Sequence, residues 1–203
     1  MSVKHALLAL LETGPRYGNQ LRSEFEARTG ATWPLNVGQV YTTLSRLERD
    51  GLVEAAGDDP EGRPVYAITD AGRAAATAWF TTPVERTQPP RDELAIKLAL
   101  AVTVEGVDVR AVIQTQRSAT MTALQGYTRL KRDAGDPTVP GELAWSLVLD
   151  SLVFAAEAEL RWLDHCEGRL RRAAAAPRPA GEPSPSGAGS APAPADAEPK
   201  GVR

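Results

Sequence analysis

The sequence predicts a mainly helical chain: three N-terminal helices, a β-hairpin and a fourth helix, then a separate helical arm. Three observations carry that expectation. Apolar residues recur at three- and four-residue spacing through residues 3–49, and the period returns between 91 and about 175. A short strand–turn–strand passage over residues 52–68 interrupts it once. Proline-rich stretches then divide the chain into a domain at 1–82, a linker at 83–90, an arm at 91–175 and a tail at 176–203.

The elements follow in order. Val3, Ala6, Leu7, Leu10 and Leu11 make one apolar stripe of a first helix, which Gly14-Pro15 ends. A second helix, roughly Tyr17 to Arg28, buries Leu21 and Phe25, with Gly30 as its C-cap. Trp33-Pro34-Leu35 turns into a third helix with Asn36 as N-cap. Val37, Val40, Tyr41, Leu44 and Leu47 share one face of it, and Gly51 stands just past its end. Leu52-Val53-Glu54-Ala55 and Pro64-Val65-Tyr66-Ala67-Ile68 flank the polar tip Gly57–Arg63, which predicts a hairpin. Thr69 or Asp70 caps a fourth helix from Ala71 to about Phe80. Pro89-Pro90 stops helix and strand ladder alike, which makes 83–90 a linker.

In the arm, a final helix is expected from Glu142 to about Arg172. Trp145, Leu149, Leu152, Ala156, Glu159, Leu163, Cys166 and Leu170 alternate by four and three, a heptad seam with one polar break at Glu159. Val148, Ala155 and Trp162 widen it. So broad a stripe calls for a second copy of the chain, with Leu149, Leu152, Ala156, Leu163 and Leu170 at the contact. Packing inside one arm is the competing account. Trp145 and Trp162 are either plain core residues or the lining of a cavity for an aromatic effector. Residues 176–203 hold seven prolines and no aromatic residue, so they cannot bury enough surface to offset their ordering entropy, and disorder is expected there.

Composition narrows the function. No apolar run is long enough to span a bilayer, and the start Met1-Ser2-Val3-Lys4-His5 lacks a secretory layout, which predicts a cytoplasmic address and no membrane partner. The single Cys166 rules out an intramolecular disulfide and a multi-cysteine metal site. With only His5 and His165, and with no Ser/His/Asp set or phosphate-cradling glycine loop, no enzyme, metal or cofactor is expected.

The outward face of the third helix presents Gln39, Thr42, Ser45, Arg46 and Arg49, with Thr43 at its edge. A reader of the DNA major groove needs this mix, because Arg pairs with guanine edges, Gln with adenine, and Thr with phosphate or the thymine methyl. The same pattern also serves an ordinary solvated face. Arg63, at the base of the hairpin tip, is placed to reach a minor groove or phosphate, or simply to help cover the core. Against nucleic acid stands the charge: net −3 overall, with eight Lys/Arg against ten Asp/Glu in residues 1–82. The alternative is therefore a winged-helix protein-interaction module without DNA binding.

Leu7-Leu8-Ala9-Leu10-Leu11 with Gly14-Pro15-Arg16-Tyr17-Gly18-Asn19-Gln20-Leu21, the run from Gly38 to Val53, and the run from Arg63 to Gly72 follow one another within residues 3–72. In that order and spacing they resemble the PadR-like transcriptional regulators. Arg91-Asp92-Glu93-Leu94 and the helices beyond look like the longer-armed subfamily, which resembles regulators of the phenolic-acid response; the likeness weakens after about residue 105. The resemblance implies a winged helix-turn-helix, a homodimer on double-stranded palindromic DNA, and repression relieved by a small aromatic or phenolic effector. Tyr41 matches the family's tyrosine near the start of the recognition helix, Arg46 a basic or polar recognition position, and Arg63 the basic residue of the wing. With Asn36, Gln39, Thr42, Thr43 and Arg49 these make the expected DNA-binding set. Thr42 and Thr43 stand where many relatives have Pro and a small residue, so the operator sequence does not transfer. The acidic tip Asp58-Asp59-Pro60-Glu61 speaks against phosphate contact there and moves the expected wing contact to Arg63.

Overall fold

A computed structural model of the protein describes residues 3–85 and 91–175. The linker expected at 83–90 leaves the described residues after 85, and the tail expected at 176–203 lies outside them entirely. The chain divides into two compact units, Met1–Glu167 and Gly168–Arg203, and the second is described only as far as Ala175.

The N-terminal elements run α1 (Val3–Leu11), β1 (Arg16–Tyr17), α2 (Gly18–Thr29), α3 (Val37–Arg49), β2 (Val53–Asp58), β3 (Pro64–Ile68) and α4 (Asp70–Thr81). The strands form an antiparallel sheet in the order β1-β3-β2. Strand β1 is absent from the sequence expectation, which began the second helix at Tyr17. Arg16 pairs with Tyr66 and Tyr17 with Val65, so two residues become a strand only because β3 lies beside them. Strand β2 outlasts its expected end at Ala55, with a bulge between Ala55 and Asp58. A bulge adds a residue to one strand and bends it, which carries the hairpin past Gly57.

Local chemistry fixes the helix ends. The Asn36 side chain accepts from the Gly38 N–H at 2.8 Å and starts α3. Gly30, left-handed at φ 56°, closes α2. Thr69, not Asp70, caps α4: its hydroxyl oxygen accepts from the Gly72 N–H at 3.1 Å and its hydroxyl donates to the Gly51 carbonyl at 2.8 Å. One side chain thus ties the start of α4 to the chain just past α3. Leu7, Leu8, Leu21, Val40, Leu44 and Leu47 are fully buried, and each such side chain contributes roughly 1.5–3 kcal/mol. Three of the six come from α3, so the core fixes which face of this helix turns outward.

The arm comprises α5 (Glu93–Ala101), α6 (Val109–Ala134) and α7 (Pro140–Ala175), with Asp92 and Asp108 capping α5 and α6. Helices α6 and α7 run antiparallel and are stapled by polar contacts. Arg117 meets Asp164 at 2.7 Å and Glu167 at 2.9 Å, and Lys131 pairs with Asp150. Glu159, the expected polar break in the seam, accepts from Gln116 at 2.9 Å and from the Thr120 hydroxyl. Ile113 and Thr120 on α6 are buried, as are Leu149, Ala156 and Leu163 on α7, each set at seven-residue spacing. Among the described residues no helix is long and apolar enough to cross a membrane.

Candidate nucleic-acid interface

Burial of Val40, Leu44 and Leu47 sets the rotation of α3 and turns its opposite side outward. Gln39, Thr42, Ser45, Arg46 and Arg49 are exposed there, with Thr43 half-buried at the edge. Packing of α1 against this core brings Val3 and Lys4 to the side of α3. The result is an open groove of about 530 Å³ lined by Val3, Lys4, Gln39, Thr43, Arg46, Arg49 and Asp50. Asp50 bridges two of its cations, with Lys4 Nζ at 3.4 Å and Arg49 Nη2 at 3.5 Å. Arg46 has no carboxylate partner among the described residues. Three cationic side chains against one carboxylate make this face positive, although the domain around it is acidic. Exposed charges act mainly over the nearest 10 Å or so, which makes the local count the relevant one.

The two threonines are narrower in their chemistry than residue type suggests. The Thr42 hydroxyl donates to the Gly38 carbonyl at 2.8 Å and the Thr43 hydroxyl to the Gln39 carbonyl at 2.7 Å. Their donors are spent on the helix backbone, so what faces outward is a methyl group and an acceptor lone pair. Asn36 is likewise engaged, its side-chain oxygen serving as the N-cap. Tyr41 is half-buried. Its ring lies so close to Gly18 that a Cβ there would stand 2.8 Å from Tyr41 Cζ, which locks α3 onto the start of α2. Beside it, burial pushes the Tyr66 hydroxyl above its ordinary pKa, and the nearby Glu48 and Tyr41 add to the shift.

Arg63 lies at the wing base, as the sequence implied, but its guanidinium is occupied. Nε donates to Asp59 Oδ2 at 2.5 Å, an Nη donates to Glu61, and the group lies 3.9 Å from the centre of the Tyr17 ring. Partial burial by itself would raise the Asp59 carboxyl. The Arg63 backbone N–H and guanidinium outweigh it and hold the carboxyl below its ordinary value. The hydrogen bond that Arg63 donates to Asp59 raises the guanidinium in turn.

In the arm, three of the five residues expected at the dimer contact are already buried within the single chain. Leu149 and Leu163 are 0 % exposed and Ala156 is buried within the single chain, while Leu152 and Leu170 stay half-exposed. The open apolar residues of α7 are others: Leu143, Leu147 at 61 % exposure and Phe154 at 65 %. Trp145 and Trp162 are both half-buried but are not brought together. Trp162 stands seventeen positions after Trp145 on unbroken helix, about 25 Å along the axis. Trp145 instead packs on Gly30, the cap that ends α2.

Lys4, the Tyr17 ring beneath Arg63 and the Trp145–Gly30 contact escaped the sequence reading. Each is a pairing between elements distant in the chain, and no spacing rule marks it.

Residues 7–78 match the family model described as the transcriptional regulator PadR-like family, and residues 90–171 match one described as virulence activator alpha C-term. The second match extends well past residue 105, where the resemblance read from the sequence faded. A probable transcriptional regulator of Mycobacterium tuberculosis, Rv1176c, is 31% identical over 179 residues, spanning 81% of this chain and 95% of that protein. Among solved structures, Bacillus subtilis PadR in complex with p-coumaric acid superposes with a TM-score of 0.68 at 19% identity, over 84% of this chain and 99% of that one. Bacillus subtilis PadR in complex with operator DNA superposes at 0.65, also at 19% identity, over 81% and 97%. At these identities the two structures establish the fold.

Proposed function

The chain belongs to the PadR-like family of transcriptional regulators, and on that premise we propose that it is a cytoplasmic repressor that binds a palindromic operator as a homodimer and is released by a small aromatic or phenolic effector. The family is one of regulators, not of enzymes.

The observation that carries the reading is the groove along α3. It sets Gln39, Thr43 and Arg46 side by side with Lys4 and Arg49 at the margins. In this reading Arg46 and Gln39 meet base edges, the outward methyls of Thr42 and Thr43 favour thymine, and Lys4 and Arg49 take phosphates. Asn36 and Tyr41 position the helix, and Arg63 supplies the wing contact. The domain bounds 1–82, 83–90, 91–175 and 176–203 are part of the proposal.

Dimerisation falls to the arm. Leu149, Ala156 and Leu163 shape the protomer, whereas Leu152, Leu170 and the exposed Leu147 and Phe154 meet the second copy. A neighbour of this fold, PadR of Bacillus subtilis, has been crystallised both with operator DNA and with p-coumaric acid, which supports duplex binding and an aromatic effector here. A planar ligand that displaced the Trp145 indole from Gly30 would move α7 against α2 and change the separation of the two recognition helices. To act, it must bind the two arrangements with different affinity. Trp162 lies too far along α7 to share that ligand.

The acidic balance of residues 1–82 favours a second reading, a protein-interaction module. Selection of bound duplexes from a random pool separates the two. The repressor reading expects an inverted repeat whose half-site centres lie about 34 Å apart, or a multiple of that. An unenriched pool contradicts it.

A further inference from the structure

We propose that Glu61, supported by Asp59, is a built-in competitor for DNA phosphate that occupies Arg63 in the free protein and lowers the affinity of the wing for DNA of arbitrary sequence. The inference rests on the DNA-binding reading and goes beyond it, because it assigns a function to wing-tip carboxylates that otherwise only weaken that reading.

The geometry divides the work between the two acids. Asp59 is part of the turn: Oδ1 accepts from the Glu61 N–H at 3.1 Å and from the Arg63 N–H at 2.8 Å, and its own N–H donates to the Arg63 carbonyl at 2.9 Å. Its side chain is only 10 % exposed. Glu61 differs. Its side chain is 64 % exposed, and among the described residues Arg63 is its only partner. Asp59 is therefore the fixed ligand of the guanidinium and Glu61 the removable one.

A carboxylate and a phosphate offer a guanidinium the same thing, a pair of anionic oxygens for parallel N–H donors. Arg63 is 38 % exposed and held over Tyr17, and its Nη2, which Asp59 also holds at 2.5 Å, is the donor that Glu61 covers. A duplex that sets a phosphate on Nη2 must exchange that carboxylate for it and must also approach the exposed Asp58. Wing contact alone does not favour the exchange, since one anion replaces another. It becomes favourable when α3 is already docked on base edges and holds a phosphate against Arg63. The wing then adds to operator binding and subtracts from binding elsewhere.

Glu61→Gln is the clean variant, because the Glu61 side chain supports no backbone group. Binding of the full chain to a random-sequence duplex and to its selected operator is followed by fluorescence anisotropy across a salt series. Glu61→Gln is expected to bind the random duplex roughly three- to tenfold more tightly at low salt, with a salt slope steeper by about 0.9 as Arg63 gains one phosphate. The operator-to-random ratio should fall. In an Arg63→Ala background, Glu61→Gln should add little. Unchanged random-duplex affinity in Glu61→Gln overturns the proposal, and so does an equal gain without Arg63, which would reduce the effect to net charge. If the wild-type chain binds no duplex at any salt, the DNA-binding reading itself fails and the proposal falls with it.

Discussion

The indole of Trp145, on α7, lies across Gly30, the left-handed cap that ends α2, so closely that a Cβ at position 30 would stand 2.2 Å from its ring. A residue of the arm thus rests on the helix that supports the recognition helix. Two requirements meet at Gly30, a backbone at φ 56° and room for an indole. Gly30→Ala should cost roughly 2–3 kcal/mol in urea unfolding, part from the left-handed backbone and part from displacing Trp145. In a Trp145→Ala background the same change should cost only about 1–2 kcal/mol, the backbone share. Strictly additive losses would show that the two residues do not touch in solution.

The wing carries a titration signature. Asp59 has its pKa held below the ordinary value in the folded chain, so its contribution is present above the unfolded value and is lost as pH falls through the folded one. The wing clamp should therefore be intact above about pH 4 and loosen below it. Glu142 behaves in the same sense, because the Thr138 N–H and hydroxyl hold its carboxyl down. Amide exchange in residues 58–63 should accelerate on acidification, and Asp59→Asn should flatten that response. Identical pH profiles in the two proteins would contradict the assignment.

The arm leaves Phe154 and Leu147 open to solvent on α7. If they meet a second copy, replacing Phe154 by Ala removes roughly 2–3 kcal/mol of buried contact and raises the dimer dissociation constant by tenfold or more. Sedimentation analysis measures it. Leu149→Ala should act differently, lowering protomer stability by about 2–5 kcal/mol, because that side chain is enclosed within its own chain. A monomeric wild type would contradict dimerisation, and an unchanged dimer in Phe154→Ala would move the interface elsewhere.

Most of the winged-helix half was legible from local chemistry. The stripe Val40-Leu44-Leu47 fixes the inward face of α3, and Asn36, Gly30 and Thr69 mark helix ends through interactions within a few residues. Strand β1 was not legible, because Arg16 and Tyr17 become a strand only by pairing with β3. Nor was the state of Arg63, whose partners Asp59 and Glu61 are near in sequence but engage it only once the turn closes. The heptad seam of α7 shows that a stripe is covered without saying by what. Here Leu149, Ala156 and Leu163 are already buried within the single chain, so the contact residues expected for a partner were in part core.

In the proposed complex α3 reads base edges through Arg46 while Lys4 and Arg49 hold phosphates beside it. Competition binding between the selected operator and a random duplex, with Arg46→Ala compared against Lys4→Ala, tests it most directly. Arg46→Ala should lose roughly 1–3 kcal/mol of operator preference with little change in random-duplex affinity. Lys4→Ala should weaken both duplexes alike and flatten the salt slope by about 0.9. An Arg46→Ala protein that keeps its full operator preference would remove Arg46 from base reading.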